Sequence, residues 1–273
     1  MSTSLLIAAL CLYLISTLFY LLQISTGALR MGIPAFICLA GGFVVQLVSL
    51  VLRYFQAGYA PVTNLPEALS FFAFCVAGFF LYLRRSYKID LVGAIVAPVL
   101  SLMLIWSLTY ATAIRPLPPV LKSFWLPVHT FLAFSGNAIF LVAFFVSLLY
   151  IVVERSIKKK TSLSLSPRIP SLETLDAINY RCMSYGFPLL TVGIITGSIW
   201  AGFAWGSHWS WDPKETWSLV TWIVYAILLH NRLTIGWRGR KTAYMMIIGF
   251  FFMLFTFLGV NLFTGGLHSY GQW

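Results

Sequence analysis

Apolar stretches, each about as long as a bilayer crossing and each closed by Pro, Gly or charge, recur along the whole chain. They cover 4–23, 33–52, 66–83, 90–109, 127–153, 186–204, 214–231 and 243–264. A helix rising 1.5 Å per residue needs roughly 20 such residues to span a hydrocarbon core of about 30 Å. Backbone N–H and C=O groups in lipid must be satisfied within the segment, which selects helices, and a membrane β-barrel would show short alternating segments instead. The pattern predicts an all-α, polytopic integral membrane bundle of about eight transmembrane helices, a single membrane domain over 1–273. The first run, Leu5 to Leu22, has no basic leader and is followed by no small-residue cleavage site, so it reads as a retained span.

Composition agrees: among 273 residues, 60% are hydrophobic and 9% charged, which excludes a soluble globule. A net charge of +11 would in another context suggest nucleic acid as a partner. Here the basic residues lie between the apolar runs, where positive charge sets topology, so no nucleic-acid partner is expected. With the N-terminus outside, the inward connections hold Arg30; Arg84, Arg85 and Lys88; Arg155, Lys158, Lys159, Lys160, Arg168 and Arg181; and Arg232, Arg238, Arg240 and Lys241. Outward segments keep only Arg53, Arg115, Lys122 and Lys214, so the positive-inside rule puts both termini on the extracytoplasmic side. Residues 154–185 then form a basic cytoplasmic connection. Its K-K-K run followed by S-L-E-T-L-D-A-I-N-Y predicts a short interfacial helix beside anionic lipid.

Several chemistries are disfavoured. Cys11, Cys38 and Cys75 fall inside apolar runs and Cys182 in the basic connection, with no C-x-x-C pair for disulfide exchange and no C-x-x-C-H for covalent haem attachment to this chain. No repeat of a solenoid type and no glycine-rich phosphate loop occurs.

The connection before the seventh run stands apart. Residues 205–217 read W-G-S-H-W-S-W-D-P-K-E-T-W, with Trp205, Trp209, Trp211 and Trp217 packed around a charged turn. One or two tryptophans per helix end would be an ordinary interfacial belt; four suggest an aromatic platform. Trp205 and Trp209 are spaced to share a helical face, and Trp211 and Trp217 flank the turn. Asp212-Pro213-Lys214-Glu215 also has a reading that needs no ligand: acidic N-cap, proline at the first helical position and glutamate at the third. A wide, flat, apolar macrocycle with anionic edge groups would stack on such a wall and keep its carboxylates in the wet headgroup zone. Haem has that shape.

Haem iron takes axial donors, and the chain has four histidines. His129 lies one turn into the outer end of the fifth run and His268 just past the outer end of the eighth. Their shared depth is the minimum requirement for gripping one iron from opposite faces, whereas a lone interfacial histidine is more often a hydrogen-bonded surface group than a ligand. His230 sits about 22 Å below the outer start of the seventh run and cannot share that iron. It reads either as a residue snorkelling with Asn231 and Arg232 or as a ligand for a second, deeper haem. His208, inside the tryptophan loop, reads as a contact rather than a ligand. Arg53, Arg115, Lys122 and Lys214 are candidates to pair with propionates, and each is equally an interfacial anchor.

The tryptophan-rich segment resembles the WWD signature of the haem-handling cytochrome c assembly family, and its P-K-E-T-W continuation resembles the CcsA (ResC) branch of the system II cytochrome c synthase. Further segments are similar in the same order: W-S-L-V-T-W-I-V-Y-A-I-L-L-H-N-R at 217–232, G-W-R-G-R-K at 236–241 and G-V-N-L-F-T-G-G-L-H-S-Y-G at 259–271, with the weaker A-P-V-T-N-L-P-E-A-L-S-F at 60–71. The resemblance implies that His129 and His268 hold haem b at the extracytoplasmic face. It also implies that Trp205, Trp209, Trp211, Trp217, Asp212 and His208 surround that haem, and that His230 is one ligand of a transmembrane site shared with a CcsB/ResB-type membrane protein. The implied activity is holocytochrome c synthesis by the two-component complex: haem is presented for thioether attachment to the C-x-x-C-H cysteines of apocytochrome c, kept reduced by thioredoxin-like proteins. No general acid or base of this chain is implied. The implied location is a bacterial cytoplasmic or thylakoid-type membrane. A HemX-like membrane haem-binding regulator is the alternative, and a lone exporter is disfavoured because the chain has no second deep histidine.

Overall fold

A computed structural model of the chain describes residues 2–109, 117–118, 121–160 and 169–260. The described residues are mainly helical and contain no strand. Among the described residues eight α-helices form: α1 Ser2–Thr26, α2 Gly32–Ala57, α3 Leu65–Ser86, α4 Asp90–Thr109, α5 Trp125–Lys158, α6 Leu172–Trp205, α7 Pro213–Thr234 and α8 Arg240–Leu254, the last running on through a π-helical turn at Phe255–Gly259. Seven of the described helices are long and apolar enough to cross a membrane, counting α8 with its π turn; α7 is the exception. Its apolar middle is bracketed by Lys214 and Glu215 at one end and His230, Asn231 and Arg232 at the other. The polytopic helical membrane bundle expected from the periodicity is therefore what the chain builds.

One expectation changes in detail. The interfacial helix expected after the K-K-K run is the opening of α6, which starts at Leu172 and runs unbroken to Trp205 with Pro188 inside it. Ser171 caps it by accepting from the Thr174 amide at 3.1 Å, so Glu173 and Asp176 fall in its first turns. The chain also divides into two compact units, α1–α4 and α5–α8.

In the first unit, several polar groups buried between apolar faces are paired. Tyr13 donates to Gln46 Oε1 at 2.7 Å, and Gln46 Nε2 donates to the Ser70 carbonyl at 2.8 Å, joining α1, α2 and α3. Such bonds serve as interhelical contacts where lipid supplies no hydrophobic drive for helices to associate. Asn64 caps α3 and Arg53 pairs with Glu67 at 3.0 Å.

In the second unit, α5 and α6 approach closely along small residues. A Cβ at Gly136 would meet the Leu190 backbone nitrogen at 3.0 Å, and one at Gly193 would meet the Ala133 nitrogen at 3.1 Å. Small residues at both crossings let the backbones meet. The antiparallel order gives this unit two distinct ends. One gathers the start of α5, the end of α6, the loop 206–212, the start of α7 and the π turn. The other holds the α7–α8 hairpin against the start of α6.

Candidate functional site

His129 lies in the second turn of α5, half-buried against α6. Its Nδ1 stands 2.7 Å from the Gly193 carbonyl oxygen. A carbonyl only accepts, so Nδ1 carries the hydrogen and the lone pair of this tautomer is on Nε2. Metal-binding imidazoles are commonly oriented by this kind of bond to a carbonyl. The ring fits because residue 197 is glycine: a Cβ there would lie 2.6 Å from Cε1 and 2.7 Å from Nδ1. The Trp200 ring lies nearly parallel, with centroids 6.3 Å apart and planes 9° from each other. Thr196 Oγ1 also donates to the Gly193 carbonyl at 3.0 Å, so one acceptor steadies both side chains.

The tryptophans sit at this same end. Helix α6 stops at Trp205 because Gly206 adopts φ +75°, a left-handed conformation that ends helices and that glycine takes without a Cβ clash. Trp209 therefore lies in the loop, and the helical face it was expected to share with Trp205 does not form. Other pairs do. Trp205 packs edge-on to Trp200 at 5.0 Å, Trp209 edge-on to Trp211 at 5.8 Å, and Trp217 tilts against Phe255 of the π turn at 4.4 Å. Trp211 is 68% exposed, a large apolar ring presented outward.

The turn beneath these rings follows the reading that needs no ligand. Asp212 is the N-cap of α7, Pro213 opens the helix, and the reciprocal capping box with Glu215 is complete. Glu215 does more than cap. Its Oε2 accepts from the Ser210 amide at 2.8 Å, the Ser210 hydroxyl at 3.2 Å and the Asp212 amide at 3.3 Å. These amides flank Trp211, whose φ of +59° is a left-handed conformation costly for a bulky side chain. Folding both neighbouring amides onto one carboxylate fixes that bend, and the bend turns Trp211 outward.

The remaining candidates separate. His208 is exposed in the loop and bonded to α6 at Ser198. His230 is exposed near the end of α7, at the opposite end of the unit, about 20 Å along the helix from Trp217. Close by, Arg232 holds Asp176 through two hydrogen bonds of 2.8 and 2.7 Å, and Asp176 also accepts from the Gly239 amide at 2.6 Å. His268 and Arg115 lie outside the described residues. Arg53, one of the propionate candidates, donates through both Nε and Nη2 to Glu67 Oε1, so its charge is already matched within its own unit. Trp200, Gly193, Gly197 and Ser198 were not singled out from the sequence. The glycines of α6 at 186, 193, 197 and 202 were the available signal, because small residues at such intervals mark places where something packs close.

Fold and site together define a polytopic helical membrane protein with an oriented imidazole at a tryptophan-lined end. Residues 62–268 match the family model described as cytochrome C assembly protein, and the chain belongs to that family. It is 38% identical over 244 residues to the cytochrome c biogenesis protein CcsA of Guillardia theta, covering 82% of this chain and 81% of that one. It is 37% identical over 288 residues to CcsA of Synechococcus elongatus, covering 88% of each. Among solved structures it is similar in fold to the cytochrome c haem lyase CcmF, with a TM-score of 0.69 and 17% identity, covering 94% of this chain and 46% of that one.

Proposed function

We propose that this chain acts in cytochrome c biogenesis as the haem-presenting subunit of a synthase, holding its substrate haem b at the tryptophan-lined end of the α5–α8 unit. The observation that carries the reading is His129: an imidazole whose Nδ1 is committed to the Gly193 carbonyl, with its ring seated over Gly197 and facing Trp200. The imidazole is thus held in one tautomer at the end where large aromatic rings gather. The donor chemistry fits a haem, since neutral imidazole is a common axial ligand and the rings offer apolar stacking area. His268 supplies the second ligand of this outer iron. His230 supplies one ligand of a transmembrane site completed by a CcsB/ResB-type partner.

Haem bound there keeps its vinyl edge toward the extracytoplasmic space. Each thiol of a reduced apocytochrome C-x-x-C-H segment adds across a vinyl group: the new bond joins sulfur to carbon, and the thiol hydrogen goes to the neighbouring vinyl carbon. No electron leaves the pair, so the cysteines must arrive reduced, which is the task of thioredoxin-like proteins. His129 and the tryptophans orient and hold; catalysis rests on bringing haem and client together. In this reading the loop lies outside and the basic hairpins at the inner face of a bacterial cytoplasmic or thylakoid-type membrane, which the positive-inside bias of the connections supports.

The test is to express the chain with its partner and a reporter apocytochrome in cells lacking their own assembly system. Wild type attaches haem covalently to the reporter, and His129→Ala loses attachment, which added imidazole partly restores. A wild-type complex that carries no haem and attaches none sinks the proposal.

A further inference from the structure

The loop 206–212 has no regular secondary structure, yet it is tied down on both sides. On the α7 side the tie is Glu215. On the α6 side it is an exchange between two residues: Ser198 Oγ donates to the His208 carbonyl at 2.7 Å, and His208 Nδ1 donates to the Ser198 carbonyl at 3.2 Å. The imidazole lies over Gly202, where a Cβ would come within 2.5 Å of Nδ1. This repeats the seat of His129. In each case Nδ1 sits on the carbonyl of an α6 residue, 193 or 198, and the ring covers the glycine four positions later, 197 or 202.

The repeat has a different outcome at the two places. Five residues separate the seats, so on an α-helix they lie about 7.5 Å apart along the axis and about 140° apart around it. The two rings therefore address different sides of α6. His129 reaches its seat from a neighbouring helix. His208 reaches its own from the loop itself, and bonding through both side chain and backbone carbonyl fixes where the next residue, Trp209, begins. Ser207 Oγ adds a bond to the Trp209 carbonyl at 3.0 Å. With Glu215 holding the amides on either side of Trp211, the edge-on Trp209–Trp211 pair is fixed from both flanks.

We infer that His208 is a positioning residue: its exchange with Ser198 clasps the tryptophan loop to α6 and sets the aromatic pair against which haem rests, while the imidazole itself ligates no iron. The inference rests on the proposed role of the loop as a haem platform. It makes Ser198 and Gly202 parts of the same device, since one supplies both partners of the exchange and the other leaves room for the ring.

The test compares His208→Ala, His208→Asn and Ser198→Ala in the full chain purified with its partner. Hydrogen–deuterium exchange over residues 206–212 is measured on the haem-free complex, and haem dissociation and the iron spectrum on the loaded one. His208→Ala speeds loop exchange and weakens haem binding about threefold to tenfold, the size expected for losing one or two neutral hydrogen bonds. His208→Asn, whose amide N–H can still donate to the Ser198 carbonyl, restores most of both, and retained haem keeps its wild-type low-spin spectrum in every variant. A change of spin state in His208→Ala makes His208 a ligand and overturns the inference. So does loop exchange that His208→Ala leaves unaltered, or an asparagine variant no better than alanine. If the wild-type complex binds no haem, the platform reading fails, whereas the exchange data still decide whether the clasp exists.

Discussion

His129 and His230 occupy opposite ends of the same four-helix unit and differ in almost everything except residue type. His129 is half-buried, bonded through Nδ1 to Gly193 and faced by Trp200. His230 is exposed on α7, and among the described residues no hydrogen bond holds its ring; its carbonyl accepts from Thr234. Around it the interactions hold the α7–α8 hairpin instead. The Arg232–Asp176 pair, at 10% and 15% side-chain exposure, locks the hairpin onto α6, and the Arg232 guanidinium lies 5.2 Å from the Tyr180 ring centroid. One end thus carries an imidazole oriented by its own chain, and the other a rigid support presenting an imidazole outward. In the proposed reading this is the difference between a ligand positioned by the chain that carries it and half of a site that a second protein completes.

The contrast breaks most clearly at the outer end. Gly197→Leu drives a side chain into the His129 ring and should lower haem retention in the complex roughly 10–100-fold, the usual cost of disturbing the group that orients a metal ligand. A bound-haem spectrum identical to wild type would show that the seat is incidental. Next in size is the support at the inner end. Asp176→Asn leaves the Arg232 charge without its counterion and should destabilise the unit by about 3–5 kcal/mol, measured as thermal unfolding in detergent. An unfolding transition within experimental scatter of wild type would reduce the pair to a surface contact. The smallest effect on stability belongs to His230→Ala, which should barely move the unfolding transition yet lower haem in the complex with the partner. Loss of haem from the isolated chain as well would mean that His230 serves this chain alone.

The spans were legible because lipid imposes a length and a composition that few other environments demand. The turn at Asp212–Glu215 was legible for a local reason: cap, proline and glutamate lie within one helical turn, so their partners are sequence neighbours. The long α6 was not. Its first turns carry Glu173, Asp176 and Arg181, and polar composition there looks like a connection unless one knows that Asp176 is matched by Arg232, 56 positions away. The helical Trp205–Trp209 face failed because Gly206 ends the helix between them, and Trp200, inside a span, looked like any apolar residue until His129 was found beside it.

Hydropathy, basic-residue placement and the W-G-S-H-W-S-W-D-P-K-E-T-W segment by themselves determined that this is a helical membrane protein of the cytochrome c assembly type, because those signals are written in neighbouring residues. Tertiary structure alone decided which nitrogen of His129 carries its hydrogen, which glycines make room for imidazoles, which rings pair, and that Arg53 is already matched. Each of these depends on groups meeting at a few ångströms once the chain has folded, and linear spacing carries no record of that distance.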